Sequence, residues 1–107
     1  ISIRPFPRCT SIIKITLPDT VTEIGEHAFK DCESLKEITI PDSVTEIGEY
    51  AFFCCKSLEE ITIPDSVKKI GKGTFSGCED LVIKAPENSF AQKYAEENGM
   101  KFKVINR

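Results

Sequence analysis

The string EITIPDSV occurs twice in this chain, at residues 37–44 and again at residues 60–67. The two copies start 23 residues apart, and the same interval separates Pro18, Pro41 and Pro64. A fixed period between about 20 and 50 residues is typical of units that cannot bury their own hydrophobic face and must stack on neighbours. The interval therefore predicts a coil in which equivalent residues lie above one another in successive turns.

The central unit begins with a short strand. Ile38 and Ile40 alternate with Glu37 and Thr39, the pattern of a strand with one buried and one outward face. Pro41 ends this strand, because proline has no N–H to donate to a neighbouring strand. The outward positions are free to vary without disturbing the core.

The second half of the unit turns back toward the core at Ile47 and Gly48. Because Gly48 has no Cβ, it allows either a positive φ or close approach of a neighbouring coil. Ala51, Phe52 and Cys55 then have the spacing of a single helical or 3₁₀ turn. Stacked in register, such units predict a right-handed coil with a parallel sheet along one side and short β, 3₁₀ or helical turns on the other.

The full pattern, L-x-x-I-x-I-P-x-S-V-x-x-I-G-x-x-A-F-x-x-C, resembles the BspA-like leucine-rich repeat family. Residues 35–57 match it throughout, while residues 12–34 and 58–80 match it with few substitutions. Residues 1–11 are similar to the end of a further, partial repeat, with Ser2 at the expected glycine position. The resemblance implies a single leucine-rich-repeat solenoid of the α/β class that covers residues 1–107.

A C-terminal cap is predicted over residues 81–107, because the pattern breaks after Leu81. Lys84 falls where an isoleucine should recur, and Pro86 comes one residue early. Beyond this break, the segment S-F-A-Q at residues 89–92 has the form of a capping box for a helix.

The cap should therefore contain one helix and one strand. Asn98-Gly99 is a typical helix-stop signal. The alternation of apolar and basic residues over 100–105 predicts a final strand. A helix followed by a strand is also similar to the C-terminal cap of the family.

The charge balance makes nucleic acid an unfavourable partner. The chain has 14 basic and 17 acidic side chains, a net charge of −3, and no run of lysine or arginine to neutralise phosphates. No apolar stretch approaches the roughly 18 residues that a membrane span requires, so membrane insertion is not expected.

Four of the five cysteines recur at the repeat interval: Cys9, Cys32, Cys55 and Cys78. This file favours a reduced, buried packing ladder, because free cysteine is among the most buried residue types. Disulfides between coils remain an alternative, since strands about 4.8 Å apart lie within the Cα range for a bridge. Cys54 lies outside the file and is expected to face solvent.

No metal or cofactor site is expected. A structural zinc site requires four ligands around a point, whereas the cysteines form a line and the single histidine, His27, falls on an outer turn. Asp19, Asp42 and Asp65 also form a file, but each follows a proline and suits a turn-capping role better than calcium binding.

Glu37 and Glu60 should lie on adjacent strands, close to the carboxyl separation of retaining glycosidases. An open sheet face offers no walls to raise the pKa of one carboxyl or to exclude water, and Lys14 shares the file. A hydrolase is therefore only a remote alternative, and the chain is expected not to be an enzyme.

The preferred function is protein binding, since a rigid repeat surface with variable outward residues suits recognition better than chemistry. The resemblance implies a surface or secreted, adhesin-like bacterial protein that binds host or matrix proteins. A spacer or end-cap without its own ligand is the alternative. The expected contact residues are the outward strand positions Lys14, Thr16, Lys36, Glu37, Thr39, Glu59, Glu60 and Thr62.

Self-association is a further expectation, at the N-terminal end of the coil. Ile1, Ile3 and Phe6 are apolar residues at this end, and they favour stacking on a second copy of the chain.

Overall fold

The computed structural model describes residues 2, 3 and 13–105. The chain forms a right-handed parallel solenoid of about four turns, closed by one helix and one strand, which confirms the predicted fold class. In chain order the elements are β1 (Ser2–Ile3), β2 (Lys14–Thr16), β3 (Glu23–Ile24), β4 (Glu37–Thr39), β5 (Glu46–Ile47), β6 (Glu60–Thr62), β7 (Lys69–Ile70), β8 (Val82–Ala85), α1 (Phe90–Glu97) and β9 (Lys101–Val104).

The strands form two parallel sheets. The first sheet has the order β2-β4-β6-β8-β9, and the second has the order β1-β3-β5-β7. The sequence pattern predicts the first sheet but not the second. The strands of the second are two residues long, too short to show the alternation by which a strand is recognised.

The first sheet continues past the point where the sequence predicts a break. Ile61 pairs with Ile83, and Thr62 pairs with Lys84. The coil between β6 and β8 is thus one residue shorter than the others, so Ile83 takes the inward position and Lys84 points outward. The expectation that Lys84 replaces the inward isoleucine is wrong, while the cap boundary at residue 81 stays a prediction.

The register also differs at the N-terminal end. Ser2 pairs with Glu23 in β3, whereas a strict repeat interval would pair it with Gly25. The predicted equivalence of Ser2 with the repeat glycine is therefore wrong. A shorter connection satisfies the same backbone hydrogen bonds, because pairing between strands depends on their geometry and not on the number of residues between them.

The core lies between the two sheets and is built from files of identical side chains. Phe29 stacks on Phe52 with ring centroids 5.3 Å apart, and Phe52 stacks on Phe75 at 5.7 Å. Phe29 and Phe52 are fully buried. The prediction that equivalent residues lie above one another is confirmed for these three phenylalanines, and stacking at these distances is a favourable arrangement of aromatic rings.

The segment that follows each of the short strands β3, β5 and β7 is a series of tight turns. The sequence predicts a helical or 3₁₀ turn there. His27 and Asp31 have positive φ of 60°, and so do the equivalent residues of later coils, including Tyr50 at 55°. Their N–H groups donate along the solenoid axis, from His27 to Glu49 O at 3.0 Å and from Asp31 to Phe53 O at 2.8 Å. Because these residues are left-handed, alternate N–H groups point toward the next coil and donate to its carbonyl oxygens. In a helix the same N–H groups would donate within the segment.

Gly48 is required for close approach and not for a positive φ. A Cβ on Gly48 would lie 2.8 Å from the backbone nitrogen of Glu26 in the preceding coil. Nearby, Thr74 occupies a position where the other coils have alanine, and its hydroxyl is satisfied by Gly71 O at 2.7 Å and Gly48 O at 3.0 Å. A threonine is therefore tolerated in the core because its own coil and the preceding coil both supply acceptors.

The predicted helix and strand of the cap are confirmed. Ser89 caps α1 by accepting from the Gln92 N–H at 3.2 Å, while Gln92 Oε1 accepts from the Asn88 N–H at 2.6 Å. At the other end, Gly99 has a φ of 64° and Met100 N–H donates to Ala95 O at 2.8 Å. This is a Schellman ending, after which β9 pairs in parallel with β8.

Candidate functional site

The outward face of the first sheet carries the residues that the sequence predicts as contacts. β2, β4 and β6 pair in register, so that Lys14, Glu37 and Glu60 form one file. Thr16, Thr39 and Thr62 form a second file. All of these side chains are exposed or half-buried, as are those of Lys36 and Glu59 just before their strands. The structure thus places the eight candidate residues on one continuous surface, which we call the strand face; their role in binding stays a prediction.

Two ion pairs run along the strand face. Lys14 Nζ lies 3.2 Å from Glu37 Oε1, with both side chains about half exposed or more. Lys84 Nζ lies 3.1 Å from Glu60 Oε1, and only 24% of the Lys84 side chain is exposed. The sequence did not identify Lys84 as part of this face, because the shortened coil moves it from the inward to the outward file. Exposed pairs of this type contribute about 0–1 kcal/mol each.

Glu37 and Glu60 occupy paired positions on adjacent strands, as predicted. Their partners, however, lie on opposite sides: Glu37 pairs with Lys14 and Glu60 with Lys84. A general acid is kept protonated by an apolar pocket, whereas each of these carboxylates is partly exposed and lies beside a lysine ammonium group. This geometry supports a charge ladder on the strand face.

The aspartate file lies at the turns that follow the first sheet. Asp42 and Asp65 are exposed beside a shallow groove of about 440 Å³ that Ser66 and Pro86 also line. Backbone hydrogen bonds close these turns, for example from Val67 N–H to Pro64 O at 3.2 Å. Within residues 13–105, no group of three or more histidine, cysteine or acidic side chains is placed to hold a metal ion.

The second sheet presents a separate charged surface. Glu23, Glu46 and Lys69 form a file along β3, β5 and β7, and Lys69 Nζ lies 3.9 Å from Glu46 Oε2. Glu46 and Lys69 line a shallow groove of about 520 Å³, and Glu49 and Lys72 line it as well. This surface has the same mixture of charges as the strand face, which makes it a useful internal comparison.

An aromatic cluster on the turn side was not identified from the sequence. His27 stacks on Tyr50 with centroids 5.5 Å apart, and the edge of Tyr50 meets Phe53 at 5.7 Å. Lys30 Nζ lies 5.9 Å from the centre of the Phe53 ring. His27 and Lys30 are exposed, as predicted for His27, and the two larger rings are half-buried. The cluster comes from unlike residues at repeat-related positions, so the repeat alignment does not reveal it.

The cysteine file contains both thiols and a disulfide. Cys55 and Cys78 are free and buried, which agrees with the preferred packing ladder. Cys32 is disulfide-bonded, which corresponds to the alternative of a bridge, and the fifth cysteine, Cys9, lies outside the described residues. Cys54 is half-buried and does not lie fully in solvent as expected.

Self-association through the N-terminal end stays a prediction. Ile1 and Phe6 lie outside the described residues, and Ile3 is described only as part of β1. Among the helices that the structure describes, none is both long enough and apolar enough to cross a membrane.

A comparison with protein families identifies the repeat. Residues 1–97 match the model of the BspA type leucine-rich repeat region, which contains six copies. Repeats of this family commonly mediate protein binding, are generally non-catalytic and are often found in surface or secreted proteins. No curated protein matches the chain.

A solved structure agrees with this match. A leucine-rich repeat protein from Bacteroides ovatus is 40% identical over 92% of this chain, with a TM-score of 0.76. The chain spans about a quarter of that protein, 26% of its length. With the phenylalanine files, the paired outward strands and the helix-strand cap described above, these matches show that the chain belongs to the BspA-type leucine-rich repeat family.

Proposed function

We propose that this chain is a non-catalytic protein-binding module that contacts an extracellular-matrix protein through the strand face. The observation that carries the proposal is the separation of tasks along each strand. Ile38 and Ile61 are buried, while Glu37, Thr39 and their neighbours are directed outward and contribute nothing to the core. A surface of this kind can be changed without loss of the fold, which is the property that recognition requires.

The charges and hydroxyls of the strand face suit a polar protein surface. Lys14 forms an ion pair with Glu37, and Lys84 forms one with Glu60. The threonine file lies beside these pairs. Because the pairs are exposed, each side chain can exchange its partner for one on a second protein at little cost. Complementary charges of this type set specificity and association rate more than they set affinity.

The size of the surface indicates that affinity comes from more than this segment. Five strands about 4.8 Å apart give a face only about 20 Å long, whereas a standard interface covers about 800 Å² on each partner. We infer that the chain works within a longer array of repeats on a surface or secreted bacterial protein. The alternative is that it serves as a spacer or end cap without a ligand of its own.

A matched pair of triple variants tests the proposal. Lys14→Ala/Glu37→Ala/Glu60→Ala removes two acids and one base from the strand face, and Glu23→Ala/Glu46→Ala/Lys69→Ala removes the same charges from the second sheet. Binding to immobilised extracellular-matrix extract is measured by surface plasmon resonance. We expect the first variant to bind at least about tenfold more weakly, a loss of about 1.4 kcal/mol, and the second to bind like the original chain.

Other results would assign the function differently. Equal loss in both variants would indicate non-specific charge attraction and contradict the strand face as the contact surface. Loss only in a third variant, Lys30→Ala/Phe53→Ala, would move the contact to the aromatic cluster on the turn side. Absence of binding by the original chain would support the spacer.

A further inference from the structure

The cysteine file repeats one local geometry from coil to coil. Cys55 Sγ donates to Phe29 O at 3.1 Å, and Cys78 Sγ donates to Phe52 O at 3.2 Å. Each thiol therefore lies in the same place relative to the phenylalanine of the preceding coil. Cys32 occupies the equivalent position one coil earlier and is disulfide-bonded.

The two free thiols lie next to each other. Phe52 O accepts both from the Cys55 N–H at 3.2 Å and from Cys78 Sγ at 3.2 Å, so the Cys78 side chain lies against Cys55 across the interval between two coils. Rotation about the Cα–Cβ bonds moves the two sulfur atoms, and equivalent residues in coils about 4.8 Å apart lie within the Cα range for a disulfide. The file thus contains one oxidised position and, immediately beyond it, a reduced pair with the same surroundings.

Both residues are buried, but only Cys78 keeps some exposed surface. Cys78 is 7% exposed, whereas Cys55 is fully buried. A cavity of about 330 Å³ opens beside Cys78, between the last turn and the cap, where Phe75, Tyr94 and Met100 provide apolar walls. This volume lies in the range of small-molecule pockets, and Cys78 is one of the residues that line it.

We propose that Cys55 and Cys78 are a disulfide-forming pair, oxidised by a small-molecule disulfide that enters through the cavity beside Cys78. The inference is independent of the protein-binding function. It assigns a modification to the end of the solenoid opposite to the disulfide at Cys32.

The reaction is two successive thiol–disulfide exchanges. The Cys78 thiolate attacks one sulfur of the external disulfide, forming a mixed disulfide and releasing one small thiolate. Cys55 then loses its proton and attacks Cys78 Sγ, so that the new Cys55–Cys78 bond expels the second small thiolate. The two protons given up by the cysteines are taken up by the two leaving thiolates, and the external disulfide is the species reduced.

The ionisation of the pair favours this order of events. Donation of the Cys55 S–H to the Cys78 thiolate, together with burial, raises the pKa of the Cys55 thiol far above its ordinary range. The same hydrogen bond lowers the pKa of Cys78. The accessible thiol is therefore the first to react, and closure by Cys55 is the slower step, because the thiolate is the nucleophile.

The test uses the 107-residue chain incubated with oxidised glutathione, then denatured in acid with an alkylating reagent and digested with trypsin. Trypsin cuts after Lys36, Lys56, Lys72 and Lys84, which places Cys55 in residues 37–56 and Cys78 in residues 73–84. The expected product is these two peptides joined, about 2 Da lighter than their reduced sum. The oxidised chain should also unfold at a temperature at least about 5 °C higher, since the bond ties the last coil to its neighbour.

The control variant is Cys54→Ser, because Cys54 lies in the same peptide as Cys55. The joined product should form in this variant at the rate of the original chain, and it should be absent from Cys55→Ser. The proposal is overturned if Cys78 stops at the glutathione adduct, if both thiols remain fully alkylated after oxidation, or if Cys54 or Cys32 takes the place of Cys55 in the bond.

Discussion

The phenol ring of Tyr50 fills the space where a side chain of Gly73 would begin. A Cβ on Gly73 would lie 2.3 Å from Cε1 and 2.6 Å from Cδ1 of that ring. Tyr50 and Gly73 occupy equivalent positions in successive coils, and Gly73 also has a φ of 65°. The missing side chain of one coil thus gives room to the aromatic side chain of the coil before it.

Gly73→Ala should therefore destabilise the chain for two reasons. The positive φ costs an alanine about 1–2 kcal/mol, and the clash with Tyr50 adds a similar amount, as overpacking usually does. Gly99→Ala is the matched control, because Gly99 has a φ of 64° with nothing within 4 Å of its added Cβ. Urea unfolding should show the larger loss for Gly73→Ala, and equal losses in the two variants would refute the steric part of the argument.

Phe52→Ala should cost about 3–5 kcal/mol of the free energy of unfolding, since it removes a fully buried ring from the middle of the stack. The ring contacts Phe29 on one side and Phe75 on the other. Phe53→Ala, at the adjacent half-buried position, should cost clearly less. The measurement is chemical denaturation followed by circular dichroism, and similar values for both variants would show that the stack does not hold the coils together.

Ser89→Ala should lower stability by about 1 kcal/mol, because the Ser89 hydroxyl satisfies the Gln92 N–H in the first turn of α1. Ser76→Ala changes an exposed serine on a turn and should stay within about 0.5 kcal/mol of the original chain. Thermal unfolding compares the two. A loss confined to Ser76→Ala would mean that the cap does not depend on its hydrogen-bonded start.

The chain should lose stability at alkaline pH partly through Tyr94. Burial raises the pKa of Tyr94 above its ordinary value of 10.0, because the charged phenolate is poorly solvated beside the last coil. For an acid whose pKa is higher in the folded state, the stabilisation is complete below the unfolded pKa and is lost as the pH rises through about 10 toward the folded pKa.

The corresponding experiment compares Tyr94→Phe with the original chain between pH 8 and about pH 11. The variant should show a smaller decline in unfolding free energy over this range. In a Tyr50→Phe background, Tyr94 is the remaining tyrosine, and its ultraviolet absorbance titration should have a midpoint above 10.0. A midpoint at or below that value would contradict the effect of burial.

The repeat interval was sufficient to predict the coil, its first sheet and the files of core residues. Ile38 and Ile61 recur at one interval, and stacked units must place such residues above one another to bury them. The helix and strand of the cap were also predictable, because Ser89, Asn98 and Gly99 act through local backbone geometry. The charge file of the strand face followed from strand alternation alone.

What the sequence determined by itself was therefore the periodic part of the molecule, since periodic burial and local turn chemistry are both written in neighbouring residues. The tertiary structure alone decided the second sheet, the shortened coil that turns Lys84 outward to Glu60, and the contact between Tyr50 and Gly73. These features depend on how one coil packs against the next. The partner of a residue in the neighbouring coil depends on the number of residues that connect the two strands. That number differs by one or two residues between coils, although the repeated sequence pattern does not change.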